Sequence, residues 1–87
     1  MCEIFGVSSK TRVEINEYLK VFFSHSNKHS HGWGLACMEG NETIVEKEPQ
    51  KASVSQYLKA RQSVPVLVTA GFAHIRYATI GNVLYAN

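Results

Sequence analysis

The sequence predicts an α+β domain, antiparallel strands with flanking helices, and three observations carry that expectation. Two strand-like runs, WGLACME (33–39) and ETIVEK (42–47), flank Gly40-Asn41, a dipeptide suited to a tight hairpin turn, so they are expected to pair antiparallel. Ahead of them, Ile15, Leu19, Phe22 and Phe23 recur at helical spacing. Behind them, after Pro65, the chain turns apolar again through FAHIRYAT (72–79), a strand expected to end at Gly81.

Taken in order, residues 2–8 favour a strand, with Gly6 marking a bulge or a close backbone approach. Ile4, Phe5 and Val7 follow the chain start almost at once, so this end is expected to be tied down rather than frayed. Thr11 and Glu14 fit a capping box, in which hydroxyl and carboxylate satisfy orphan amides reciprocally, and a helix should follow. Tyr18 extends its apolar stripe, and the polar run SHSNKHSHG (24–32) ends it. After the hairpin, Pro49 breaks the pattern. Ser53 and Gln56 offer a second capping box ahead of Val54, Tyr57 and Leu58, which reads as a short surface helix. The longest apolar stretch, VPVLVTAGFA (64–73), is well short of the roughly 20 residues that span a bilayer. It reads as a buried strand region, and no membrane partner is expected.

With 87 residues, 45% hydrophobic and 18% charged, the chain is one domain at most and is too apolar for disorder. A chain of this size buries only about 60–65% of the surface its unfolded form exposes, so missing neighbours matter. Nine basic and seven acidic side chains are scattered rather than gathered in a stripe, and no nucleic-acid partner is expected. The start of the sequence lacks the basic segment and apolar run of a secretory signal, which points to the cytoplasm and to two free thiols, Cys2 and Cys37.

Chemistry centres on Cys2. Removal of the initiator methionine, which a small second residue permits, would put a thiol and a free amine on one residue. An α-amino group titrates at about 7.7–8.0, so it can take a proton and return one near cellular pH. The amine can then serve as the thiol's own base, the logic of an N-terminal nucleophile. The alternative is that Cys2 is a small hydrophobe at a strand start. His25, His29 and His31 invite a zinc reading, but their spacing fits no standard module, and a solvated loop with no metal is expected. His74 lies two residues before Arg76 on the same strand face, where it either supports a pocket around Arg76 or packs in the core, and packing is expected. Cys37, inside an apolar run, reads as an inert buried thiol.

MCEIFG at the start, HGWGLA at 31–36 and AHIRYATIG at 73–81 together resemble the glutaminase domain of class II glutamine amidotransferases. The resemblance spans nearly all 87 residues. It implies the N-terminal part of the four-layer αββα N-terminal nucleophile hydrolase fold, with two antiparallel sheets stacked between helix layers. It also implies hydrolysis of the glutamine side-chain amide to glutamate and ammonia, without a cofactor. Carried over, Cys2 is the nucleophile, Arg76 grips the α-carboxylate of glutamine, and Tyr77 and Thr79 line that pocket. A guanidinium suits the task because it binds a carboxylate through two parallel hydrogen bonds. His31, Gly32 and Trp33 belong to the loop that passes under the nucleophile, where Gly32 and Gly34 suit close approach and Trp33 offers an apolar wall.

Two features depart from the branch that makes amino sugars and nucleotides, which carries arginine and aspartate around the loop glycine and glycine at the third position. Here the loop reads His31-Gly32-Trp33 and the third residue is Glu3, which favours the stand-alone branch. The family's asparagine-glycine oxyanion donors and its amine-binding aspartate follow the AT-x-G motif and are not found within residues 1–87. Residues 1–87 are therefore expected to be a partial glutaminase domain, truncated before the oxyanion segment, inactive alone and self-associating as a homodimer through uncovered sheet edges. Expected partners are glutamine and a synthase domain or separate protein that receives ammonia. Two alternatives are a non-catalytic, oligomerising half-domain and an N-terminal cysteine hydrolase of another linear amide.

Overall fold

The computed structural model describes residues 2–27 and 31–76. Within them four strands build one antiparallel sheet: β1 (Cys2–Glu14), β2 (Gly32–Glu39), β3 (Glu42–Glu48) and β4 (Leu67–Arg76). Their spatial order is β1-β4-β2-β3, so β4, last in sequence, is central and pairs with both the first strand and the hairpin. Helix α1 (Asn16–Phe23) continues into a 3-10 turn at Ser24–Asn27, and α2 (Gln56–Arg61) follows a second 3-10 turn at Ala52–Val54. The architecture is α+β, as the sequence predicts. No helix of the described residues is long and apolar enough to cross a membrane.

The hairpin forms where expected. β2 and β3 run in register from Trp33↔Glu48 to Glu39↔Glu42. Gly40 turns the chain at φ +61°, a left-handed conformation that costs glycine nothing.

Strand alternation divides the sheet into two unlike faces. One carries Trp33, Leu35, Cys37, Ala73 and Ile75, all buried against Ile15, Leu19, Phe22 and Phe23 of the α1 region and Leu58 of α2. Burying a side chain of Leu or Phe size contributes roughly 1.5–3 kcal/mol, so this face holds the domain together. The other face carries Ile4, Val45 and Phe72, each substantially exposed, together with His74 and Arg76.

Several expectations fail locally, and at the start of α1 the reason is that long-range contacts outcompete a short-range cap. Thr11 and Glu14 form no capping box; they lie within β1, which continues to Glu14 and pairs that residue with Leu67. Helix α1 starts at Asn16 with no side-chain cap. Its entry is held instead from outside: Ile15 N–H donates to Val66 O at 3.0 Å, and Asn16 Oδ1 accepts from Val66 N at 2.7 Å. Asn16 Nδ2 completes the clamp by donating to Val64 O at 2.8 Å and Gln62 O at 3.2 Å. Gly6 is not a bulge; it sits in regular register with Phe72, and the irregularity falls between Ser8 and Val13. Ser53 caps nothing in α2. The cap is Ser55, whose Oγ accepts from Leu58 N–H at 3.0 Å.

Tyr18 does not extend the buried stripe: it is 64% exposed and stacks on Phe5 at the margin, with ring centroids 6.3 Å apart. β4 starts at Leu67, just after Pro65 where the chain turns apolar, but the 64–73 run is buried only in part, with Val64 and Phe72 exposed. The expected strand end at Gly81 lies outside the described residues.

Candidate active site

Register assembles the site. Arg76, at the described end of the central strand, is the Cα partner of Cys2 on β1 and of Gly32 on β2. The pieces carried by the first, second and third sequence motifs, 30 and 44 residues apart along the chain, thus meet in one row across β1-β4-β2. The row is fastened just ahead of β2, where His31 N–H donates to Arg76 O at 2.7 Å.

Gly32 is where strands crowd. A methyl group there would stand 3.3 Å from Glu48 O, 3.8 Å from Pro49 Cα and 4.0 Å from Arg76 Cβ. Glycine lets β3 and Arg76 approach together at this point.

Trp33 is set apart from the row. It projects to the helix face, is 1% exposed, meets Phe23 edge-on with centroids 6.0 Å apart, and stacks with Tyr57 at 6.1 Å. Its place is in the core under the motif, rather than as a wall beside Arg76. Its indole Nε1–H donates to Glu48 Oε1 at 3.0 Å. The same carboxylate accepts from Ser55 Oγ–H, and its Oε2 accepts from Gln50 Nε2 at 3.0 Å. Glu48 therefore pins the motif strand to the start of α2. Two residues earlier on β3, Glu46 accepts from Arg61 Nε at 3.0 Å and from the Tyr57 hydroxyl. Sequence reasoning assigned these two acids nothing; their spacing on one strand face, with Lys47 between them, was the available signal.

His74 lies outside the core, contrary to expectation. Ala73 and Ile75 take the buried face, and alternation sends His74 to the open face with Arg76. Its ring leans over Gly34, where a methyl group would meet Nδ1 at 2.9 Å. Burial first, then the charges of Arg76 and Lys47, push the His74 pKa below its usual value, so the imidazole is neutral at pH 7.

The remaining candidates are scattered. His25 Nδ1 lies 3.0 Å from Glu3 Oε1, tying the turn after α1 to β1. His29 lies outside the described residues, and among the described residues no three His, Cys, Asp or Glu side chains gather as a metal site. Tyr77 and Thr79 also lie outside the described residues. Cys37 is buried on the helix face, 3.9 Å from Arg61 Nη2, and burial pushes its thiol pKa up, which makes it a poor nucleophile.

A family model described as class-II glutamine amidotransferases matches residues 1–87. An uncharacterized protein of Methanocaldococcus jannaschii is 30% identical over 87 residues, covering 100% of this chain and 24% of that protein. The chain spans about a quarter of the length of this curated relative. No solved structure matches it.

Proposed function

Because the chain belongs to the class II glutamine amidotransferases, we propose that it contributes the nucleophile and the substrate-carboxylate grip of a glutaminase that uses Cys2 as an N-terminal nucleophile. The observation that carries this reading is the single row Cys2–Arg76–Gly32 across three strands. A substrate's reacting group and its recognition group must be held at fixed separation, and adjacent strands of one sheet do that.

The reaction follows from the groups in the row. With Met1 removed, the Cys2 α-amine takes the thiol proton, and the sulfur attacks the side-chain amide carbon of glutamine. The carbon–nitrogen bond breaks as the ammonium returns the proton to the departing nitrogen. Ammonia leaves, and a glutamyl thioester remains on Cys2. Water, deprotonated by the same amine, cleaves the thioester to give glutamate and the free thiol. Arg76 holds the α-carboxylate through its planar fork. The open face bearing Ile4, Val45 and Phe72 is where the second sheet of the four-layer fold stacks. Ammonia passes to a synthase domain or a partner protein in the cytoplasm.

An electrophilic glutamine analogue applied to the active full-length protein tests this reading. Intact mass should show Met1 absent and one adduct, mapped to Cys2 and not to Cys37. Full glutaminase activity in protein that retains Met1 would overturn the mechanism.

A further inference from the structure

Beneath the Cys2–Arg76–Gly32 row lies a second row, Ile4–His74–Gly34–Lys47, set by the same register. Glycine here leaves a notch in the sheet that the His74 ring occupies. A methyl group at Gly34 would stand 2.9 Å from His74 Nδ1 and 3.3 Å from its Cε1, inside van der Waals contact. The imidazole is half-buried although it lies on the open face, and Gly34 beneath it is buried. Successive same-face side chains on a strand stand about 6.5–7 Å apart, so His74 borders Arg76 along β4.

We propose that His74 is a positioning residue for Arg76: its ring, seated in the Gly34 notch, fills the sheet surface beside the guanidinium and stops it folding back along β4. The proposal rests on the reading of Arg76 as the carboxylate grip and names what sets that grip's aim. An arginine side chain has four rotatable bonds, and a surface on which it can collapse would cost it the orientation a bidentate contact needs.

Charge around the ring supports the same role. Arg76 on β4 and Lys47 on β3 both face it, whereas β1 contributes apolar Ile4 and β2 contributes Gly34. Glu46 and Glu48 point to the opposite face, engaged with Arg61, Tyr57, Trp33 and Ser55. A neutral ring can rest between two cations without repelling either, and unlike a carboxylate it does not compete with substrate for Arg76.

Steady-state glutamine kinetics on the full-length protein test the proposal. His74→Ala opens the notch and should raise KM for glutamine about tenfold while kcat stays within about twofold. His74→Gln, neutral and of similar volume, should recover most of that loss. Gly34→Ala displaces the ring and should raise KM similarly, yet add nothing in a His74→Ala background, because the group it clashes with is gone. Melting curves on each variant separate misfolding of Gly34→Ala from misplacement, and the His74 variants stand without it. An unchanged KM in His74→Ala, a loss confined to kcat, or additive effects of the two substitutions would overturn the proposal. A wild-type protein that hydrolyses no glutamine would overturn the functional reading and this proposal with it, whereas an active wild type with an unaffected His74→Ala overturns this proposal alone.

Discussion

Replacing Arg76 by lysine keeps the charge and removes the fork. Arg76 is half-buried at the described end of β4, in register with Cys2, and among the described residues no carboxylate is paired with it. Lysine can supply one of the two parallel hydrogen bonds that arginine makes to a carboxylate, so the substitution forfeits one hydrogen bond to a charged group, about 1.5–3 kcal/mol. Partial solvent exposure places the expected loss at the lower end, about 1.5–2 kcal/mol, or roughly 10- to 30-fold in kcat/KM. Because the α-carboxylate is bound equally in ground and transition states, the loss should fall on KM, with kcat little changed. Ammonia release measured against glutamine concentration reads both parameters. Labelling of Cys2 by a small, non-specific thiol reagent should be unaffected. The side chain sits on the open face, so Tm should move by no more than a few degrees, the range that about 0.5 kcal/mol produces in a domain of this size. Unchanged kinetics in Arg76→Lys would refute the carboxylate role. A large loss of Tm with proportionate loss of all activity would assign Arg76 to structure.

Glu48→Ala removes the acceptor of the buried Trp33 indole and of Ser55. An unsatisfied buried donor costs about 1–3 kcal/mol, so thermal denaturation followed by tryptophan fluorescence should show Tm lowered by roughly 5–15 °C; an unchanged Tm would discount this tie. His74 makes stability depend on pH. Its folded pKa lies below the ordinary 6.5, so the unfolded chain binds the proton more readily, and the contribution is complete above pH 6.5 and declines as pH falls toward the folded value. Urea denaturation between pH 7.5 and 5 should show that decline, shallower in His74→Gln, and a His74 pKa above 6.5 by NMR would contradict it.

Whatever depends on near neighbours in the chain was legible from residues alone. The Gly40-Asn41 turn needs one left-handed glycine between two strand-like runs, and the hairpin formed with the expected partners. The stripe Ile15, Leu19, Phe22 and Phe23 buried as its period demands. The companionship of Cys2, Gly32 and Arg76 is not a matter of near neighbours, and it was implied by the family resemblance that the three motifs carry.

Tertiary pairing decided the rest. Thr11 and Glu14 sit in a respectable local cap pattern, yet a cap is worth about 1 kcal/mol, and the pairing of β1 with β4 together with the Asn16 clamp on Val64 and Val66 outweighs it. Whether Trp33 walls the site or anchors the core, and whether His74 packs inside or borders Arg76, turns on which sheet face the helices cover. Strand alternation puts neighbouring residues on opposite faces but leaves open which face is which. Only the docking of α1 and α2 on the Trp33, Leu35 and Ile75 side settles it, and so leaves His74 and Arg76 together on the other.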